Sequence, residues 1–201
     1  MTLVDLIGKL PAHATKRYPT RDLSVVTRGA LHHTGGPAWA TPPQIARFHV
    51  ESNHLEQGGA PGIAYHYLVG PDGTVYKCWP ATTITWCVRK GNTPTVCVCM
   101  IGHFDERPST LTAFEVWALA AREIPLARMS GGFYHRPFLG GGPPPPAQWA
   151  AAAALMRELA SAYNIRDVYG HKEVPTMPPQ TTACPGRFVD LNRFRSEVLA
   201  P

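Results

Sequence analysis

A central mixed β-sheet flanked by helices, an α/β (α+β mixed) domain, is the architecture this sequence predicts. Short strand patterns are interspersed with helical ones, and two of them are joined by a strong turn signal, so the chain holds a hairpin among its crossovers. A third observation is that histidines stand where two strands end, at His32 and His171. The 201 residues suit one domain with one core, expected to span 1–201. Hydrophobic residues make up 44% and charged residues 16%, which is enough to fill a core, while 21 prolines and 18 glycines point to many ordered loops.

The segment to about Thr27 carries polar and proline breaks and reads as an extension, 1–27, packed on the domain. Arg28-Gly29-Ala30-Leu31-His32-His33 is a short buried strand stopped by Thr34-Gly35-Gly36-Pro37. Side chains alternate along a strand, so only one of His32 and His33 can join a site on a given face. Thr41 before Pro42 is a helix start that leads into Ile45, Phe48 and His49, with an end expected near Gly58-Gly59. Ala64 to Val69 and Thr74 to Lys77 are strand patterns joined by Gly70-Pro71-Asp72-Gly73, a hairpin.

Val96 to Ile101 reads as a third buried strand. Thr112 and Glu115 form a capping-box pattern opening a helix to about Met129, which Pro125 should kink or shorten. The Gly/Pro-rich loop 130–146 is expected to be either a rim loop or a stiff connector. A helix from about Gln148 to Tyr163 follows, with Trp149, Ala152, Met156 and Leu159 at core spacing. Val168-Tyr169-Gly170 returns a strand to His171, and Asp190 caps a final helix carrying Leu191, Phe194 and Val198.

The net charge of +5 favours acidic partners, which include nucleic acids, anionic membranes and the anionic polymers of bacterial cell walls. Its basic residues are scattered without interleaved aromatics on one element, so no nucleic-acid partner is expected. The N-terminus lacks a basic start and a long apolar stretch, so no secretory signal is expected. No run of roughly 18 apolar residues occurs, and no membrane span is expected. Synthesis in a cytoplasm follows, and a monomer is the expected state. Cys78, Cys87, Cys97, Cys99 and Cys184 are odd in number and irregular in spacing, which favours reduced thiols, with Cys97 and Cys99 as small core hydrophobes. Cys184 differs because it sits in a Pro/Gly-flanked loop.

His171 precedes Cys184 in the run Tyr169-Gly170-His171-Lys172-Glu173 through Thr182-Ala183-Cys184-Pro185-Gly186. Imidazole and thiolate are good Zn²⁺ donors, and a further histidine from Leu31-His32-His33-Thr34 would give three protein ligands with the fourth position open, as hydrolytic zinc sites require.

With Gly62-Ile63-Ala64-Tyr65-His66-Tyr67, the hairpin turn and Asn92 added in order, the chain resembles the zinc-dependent N-acetylmuramoyl-L-alanine amidases, whose fold is shared with peptidoglycan recognition proteins. The resemblance runs from about Leu31 to Leu199. It implies that His32, His171 and Cys184 bind Zn²⁺, with His32 rather than His33 in the ligand position. It further implies that Tyr65 orients or helps deprotonate water and that Thr182 donates to the developing oxyanion. Asn92 and Trp86 fall in the family's substrate groove. Two departures stand out: Trp86-Cys87 where relatives often carry a histidine, and Cys97 where a glycine is usual.

The function implied is hydrolysis of the amide between N-acetylmuramic acid and L-alanine in bacterial peptidoglycan. A phage or prophage endolysin that reaches the cell wall is the first expectation. The alternatives are a non-catalytic module that binds peptidoglycan or muropeptides and a cytoplasmic amidase that recycles soluble muropeptides.

Overall fold

A computed structural model describes residues 1–106, 141–175 and 182–199. Six strands form one sheet: β1 (Leu3–Asp5), β2 (Arg28–His33), β3 (Tyr67–Val69), β4 (Val75–Lys77), β5 (Thr95–Met100) and β6 (Asp167–Gly170), in spatial order β1-β4-β3-β5-β2-β6. Only the β3–β4 hairpin is antiparallel; every other neighbour pair is parallel. Three α-helices occur among the described residues: α1 (Pro42–Glu51), α2 (Pro146–Tyr163) and α3 (Leu191–Leu199). The mixed sheet flanked by helices is therefore present. The helix expected between Thr112 and Met129 with its Pro125 kink, the 130–140 part of the Gly/Pro-rich loop, Pro178 and Pro179 lie outside the described residues.

Strand β2 is central because both of its edges are paired, and its residues Gly29 to His32 are buried. Its alternation separates two packing faces. Leu31 joins Val96, Val98, Met100, Tyr67 and Val69 against Trp149, Ala152 and Met156 of α2 and Phe194 of α3. On the opposite face, Ala30 packs with Cys87, Val88, Cys97 and Val174, while Leu68 and Cys99 meet Ile45 and Ala46 of α1. Fully burying one such aliphatic or aromatic side chain contributes about 1.5–3 kcal/mol, so the larger α2/α3 face dominates stability. The α1 face is left to carry polar groups.

Local chemistry sets the element ends. In α1, the Gln44 side-chain oxygen accepts from the Thr41 N–H at 2.9 Å, the reciprocal half of a capping box. The helix stops at Glu51 rather than near Gly58, because the Asn53 side chain accepts from the Gly58 N–H at 2.8 Å and organises a separate turn. The Gly70 carbonyl accepts from Gly73 N–H at 2.9 Å, and Gly73 takes the positive φ of +83° that this hairpin turn needs. Pro146 is already helical, so α2 starts inside the stretch expected to be loop; a proline in the first turn loses no helical hydrogen bond. Asn164 ends α2 in the left-handed region, φ +53°. Asp190 caps α3 by accepting from Arg193 N–H at 3.0 Å.

The first residues are more than an extension. Leu3–Asp5 pairs in parallel with β4 as an edge strand, and Arg21 is buried, its guanidinium donating to the carbonyls of Ala81 at 2.7 Å, Asn92 at 2.8 Å, Thr93 at 2.6 Å and Thr95 at 2.9 Å. The loop from Ala81 to Thr95 is thereby clamped from the N-terminal side. The cysteines also depart from the all-thiol expectation. Cys87 in that loop is joined to Cys97 of β5 as a disulfide with Cα atoms 6.4 Å apart, while Cys78, Cys99 and Cys184 are free and buried.

Candidate metal and catalytic site

His32 ends the buried part of β2, with a relative exposure of 1%, and it projects to the α1 face. His171 begins a single 3-10 turn (His171–Glu173) directly after β6, which pairs with β2. The pairing of β6 with β2 therefore sets both imidazoles side by side, ring centroids 4.6 Å apart. Cys184 comes from the following loop, whose path is tied to that turn by the Lys172 N–H donating to the Cys184 carbonyl at 2.9 Å. Its Sγ lies 3.7 Å from His32 Nδ1 and accepts from the His33 N–H at 3.3 Å.

One donor atom from each of His32, His171 and Cys184 lies within 4.8 Å of the others. His33 projects elsewhere: its Nδ1 accepts from Phe104 N–H at 3.2 Å and its ring stacks on His103 at 5.4 Å. The loop leaving Cys184 is closely packed, since Gly186 has φ +101° and an added Cβ there would lie 2.1 Å from the Phe104 carbonyl oxygen. Behind His171, the Glu173 carboxylate accepts from Gly170 N–H at 3.0 Å and pairs with Arg195 of α3.

The electrostatics suit a cation. Burial pushes His32 well below its ordinary value, with His171 and His33 adding to the effect, and burial brings His171 down to about 4. Both rings are neutral near pH 7, as metal ligation requires. Burial pushes the Cys184 thiol up to about 12, against the opposing influence of the His33 N–H and of Lys172. A cation would have to displace that proton. The Nε2 of His32 is buried without a hydrogen-bond partner, an arrangement that costs free energy in the metal-free protein. Two neutral imidazoles and one sulfur fit Zn²⁺.

Of the three donors, His171 and Cys184 border a cavity of about 210 Å³, as does His33, whereas His32 is buried and is not among its lining residues. Tyr65 and Thr182 line it too, as does Trp86. The Tyr65 ring is 5.3 Å from that of His32. Burial above all, with Cys99 and Cys184 beside it, holds the Tyr65 phenol well above its ordinary value, so it remains protonated at neutral pH. Thr182 Oγ1 accepts from Cys184 N–H at 3.1 Å, which fixes the oxygen and leaves its own proton to donate. Asn92 is placed differently. Its side-chain oxygen accepts from the Val88 N–H at 2.7 Å, bracing the loop that carries Trp86 and Cys87, and it is not among the residues lining the cavity.

The cavity has further walls that the sequence reading did not assign to the site. Trp39, Phe48 and His49 contribute, the last two from the inner side of α1. Phe48 and His49 had a visible signal, helical spacing on a buried face, but that signal equally describes core packing. His49 Nδ1 accepts from Ala64 N–H at 3.1 Å and so positions the backbone next to Tyr65.

The family model described as N-acetylmuramoyl-L-alanine amidase matches residues 24–187 of this chain. Among solved structures, the Ph2119 endolysin from Thermus scotoductus MAT2119 bacteriophage Ph2119 is similar at 25% identity, with 97% of each chain covered and a TM-score of 0.64. N-acetylmuramoyl-L-alanine amidase LysC from Clostridium intestinale URNW superposes over 100% of this chain and 99% of its own at 20% identity and TM-score 0.64. Peptidoglycan recognition protein-LE in complex with tracheal cytotoxin, a monomeric diaminopimelic acid-type peptidoglycan, covers 97% and 93% at 16% identity and TM-score 0.64. No curated protein matches the chain in sequence.

Proposed function

Because this chain belongs to the N-acetylmuramoyl-L-alanine amidase family, we propose that it is a zinc-dependent hydrolase of the amide joining N-acetylmuramic acid to L-alanine in peptidoglycan, acting as an endolysin of phage or prophage origin. The observation that carries this reading is the convergence of His32, His171 and Cys184, two of which, His171 and Cys184, line the same cavity as Tyr65 and Thr182. His32, His171 and Cys184 would hold the ion. Bound there, Zn²⁺ would supply a water acidified toward ~7 and would polarise the scissile carbonyl.

The chain's own groups account for the rest. Tyr65, kept as a phenol, orients the attacking water by hydrogen bonding and does not serve as a strong base. Thr182, its oxygen already fixed by Cys184 N–H, donates its proton to the oxygen on which negative charge develops. Trp86 offers an apolar wall for the substrate, and the positive charge of the chain suits an anionic wall polymer.

Digestion of purified peptidoglycan tests the assignment. New alanine amino termini without new reducing sugar ends are expected, together with one zinc per chain and loss of turnover with a chelator. Reducing ends without new alanine termini would contradict the bond assignment. Muropeptide affinity in a protein with no zinc and no turnover would establish a binding module in its place.

A further inference from the structure

His32 belongs to a second group of donors on the same face of the sheet. One donor atom from each of His32, Cys87 and Cys97 lies within 4.8 Å of the others, and all three residues are buried. The register explains the placement. Ala30 is opposite Cys97 and His32 is opposite Cys99 in the parallel β2–β5 ladder, so the side chains of Ala30, His32, Cys97 and Cys99 share one face. Cys87 reaches that face from the loop held by Arg21 and Asn92. It is 5% exposed and lines the same cavity as His171 and Cys184, which gives solutes a route to the disulfide.

We propose that the Cys87–Cys97 disulfide is the oxidised form of a second metal site, in which His32, Cys87 and Cys97 bind Zn²⁺ or a comparable thiophilic divalent cation after reduction. The reductant is a low-molecular-weight thiol or dithiol. Its thiolate attacks one sulfur, expelling the other cysteine and giving a mixed disulfide, and a second thiolate attacks the reductant's sulfur in that mixed disulfide and releases the first cysteine. Two electrons and two protons pass to the protein, and the reductant departs as its own disulfide. Metal binding then displaces the two thiol protons. While the sulfurs are bonded to each other, neither is a thiolate and the second site is closed.

The two sites compete, because His32 is common to both. Two thiolates neutralise a divalent cation completely, whereas the single thiolate of Cys184 leaves a net positive centre. Reduction therefore favours tighter binding at the sulfur-rich set and a weaker Lewis acid. This competition rests on the amidase reading, but the second site itself does not.

Cobalt(II) titration of the full chain separates these statements, because near-ultraviolet thiolate-to-cobalt absorption grows with the number of bound sulfurs. Oxidised protein is expected to show one thiolate per cobalt. Protein reduced with a dithiol, which is then removed anaerobically, is expected to show about twofold more absorption per metal. Cys184→Ala is expected to lack the absorption when oxidised and to gain a two-thiolate spectrum when reduced; Cys97→Ala is expected to return the reduced protein to one thiolate. Unchanged intensity on reduction of the unsubstituted chain, with none in reduced Cys184→Ala, overturns the proposal. Persistence of two thiolates in Cys97→Ala also overturns it, because Cys97 is then not one of the bound sulfurs. Failure of the amidase reading alone would remove the oxidised one-thiolate spectrum and leave the reduced Cys184→Ala result intact.

Discussion

Cys184 is held through its backbone and its sulfur at once: Lys172 N–H donates to its carbonyl, and His33 N–H donates to its Sγ. Such bonds orient a ligand before any ion arrives. Tyr65 and Thr182 share the cavity without being needed to hold a cation, which permits a clean separation of roles. Tyr65→Phe should lower turnover about 10²- to 10⁴-fold, and Thr182→Ala about 10²- to 10³-fold. Zinc content should remain near one per chain in both, as read by elemental analysis beside kinetics on peptidoglycan. Loss of zinc with activity would make either residue structural. At this scale the sequence was informative where a motif has a fixed local shape, as around His171 and Cys184. It pointed to reduced thiols where Cys87 and Cys97 are bonded, and it gave Asn92 to the substrate groove without showing its bond to Val88 N–H, because both depend on where a loop folds in space.

At the scale of elements, strand β2 was readable from its apolar run and its glycine-rich stop, and α2 from its repeating core stripe. Strand β1 was not, since three residues give no alternation to read and its partner β4 is about seventy residues away in the chain. The Ala81 to Thr95 loop gained its order in the same hidden manner, from Arg21. Replacing Arg21 with Met leaves several carbonyls without their donor and should destabilise the protein by about 3 kcal/mol, given ~1–3 kcal/mol for each buried group left unpaired. Urea unfolding would measure the loss. A midpoint equal to that of the unsubstituted protein would show that water replaces the guanidinium without cost.

The whole molecule buries several neutral imidazoles. Burial lowers both His49 and His66 from 6.5 to about 3, with His54 adding to the effect at the first and Arg21 at the second, where the Thr83 carbonyl opposes it. The backbone fixes their tautomers as well, since His66 Nδ1 accepts from Cys97 N–H at 3.1 Å, leaving Nε2 to donate to the Thr83 carbonyl at 2.9 Å. Below pH 6.5 the unfolded chain takes up protons that the folded chain refuses. Stability from these residues is therefore complete above 6.5 and declines as the pH falls toward 3, by about 1.4 kcal/mol per pH unit for each ring. The urea midpoint should be lower at pH 5 than at pH 7. Equal midpoints would contradict the neutral burial of these rings. No helix among the described residues is long and apolar enough to cross a membrane.

The three donors of the candidate metal site stand at positions 32, 171 and 184, and β6 can bring His171 to β2 only after the long intervening segment exists. During translation, His32 emerges from the ribosome long before its partners. Any cation held by this donor set would therefore be captured only after the residues through Cys184 have been made, and chains stalled before that point would lack the set.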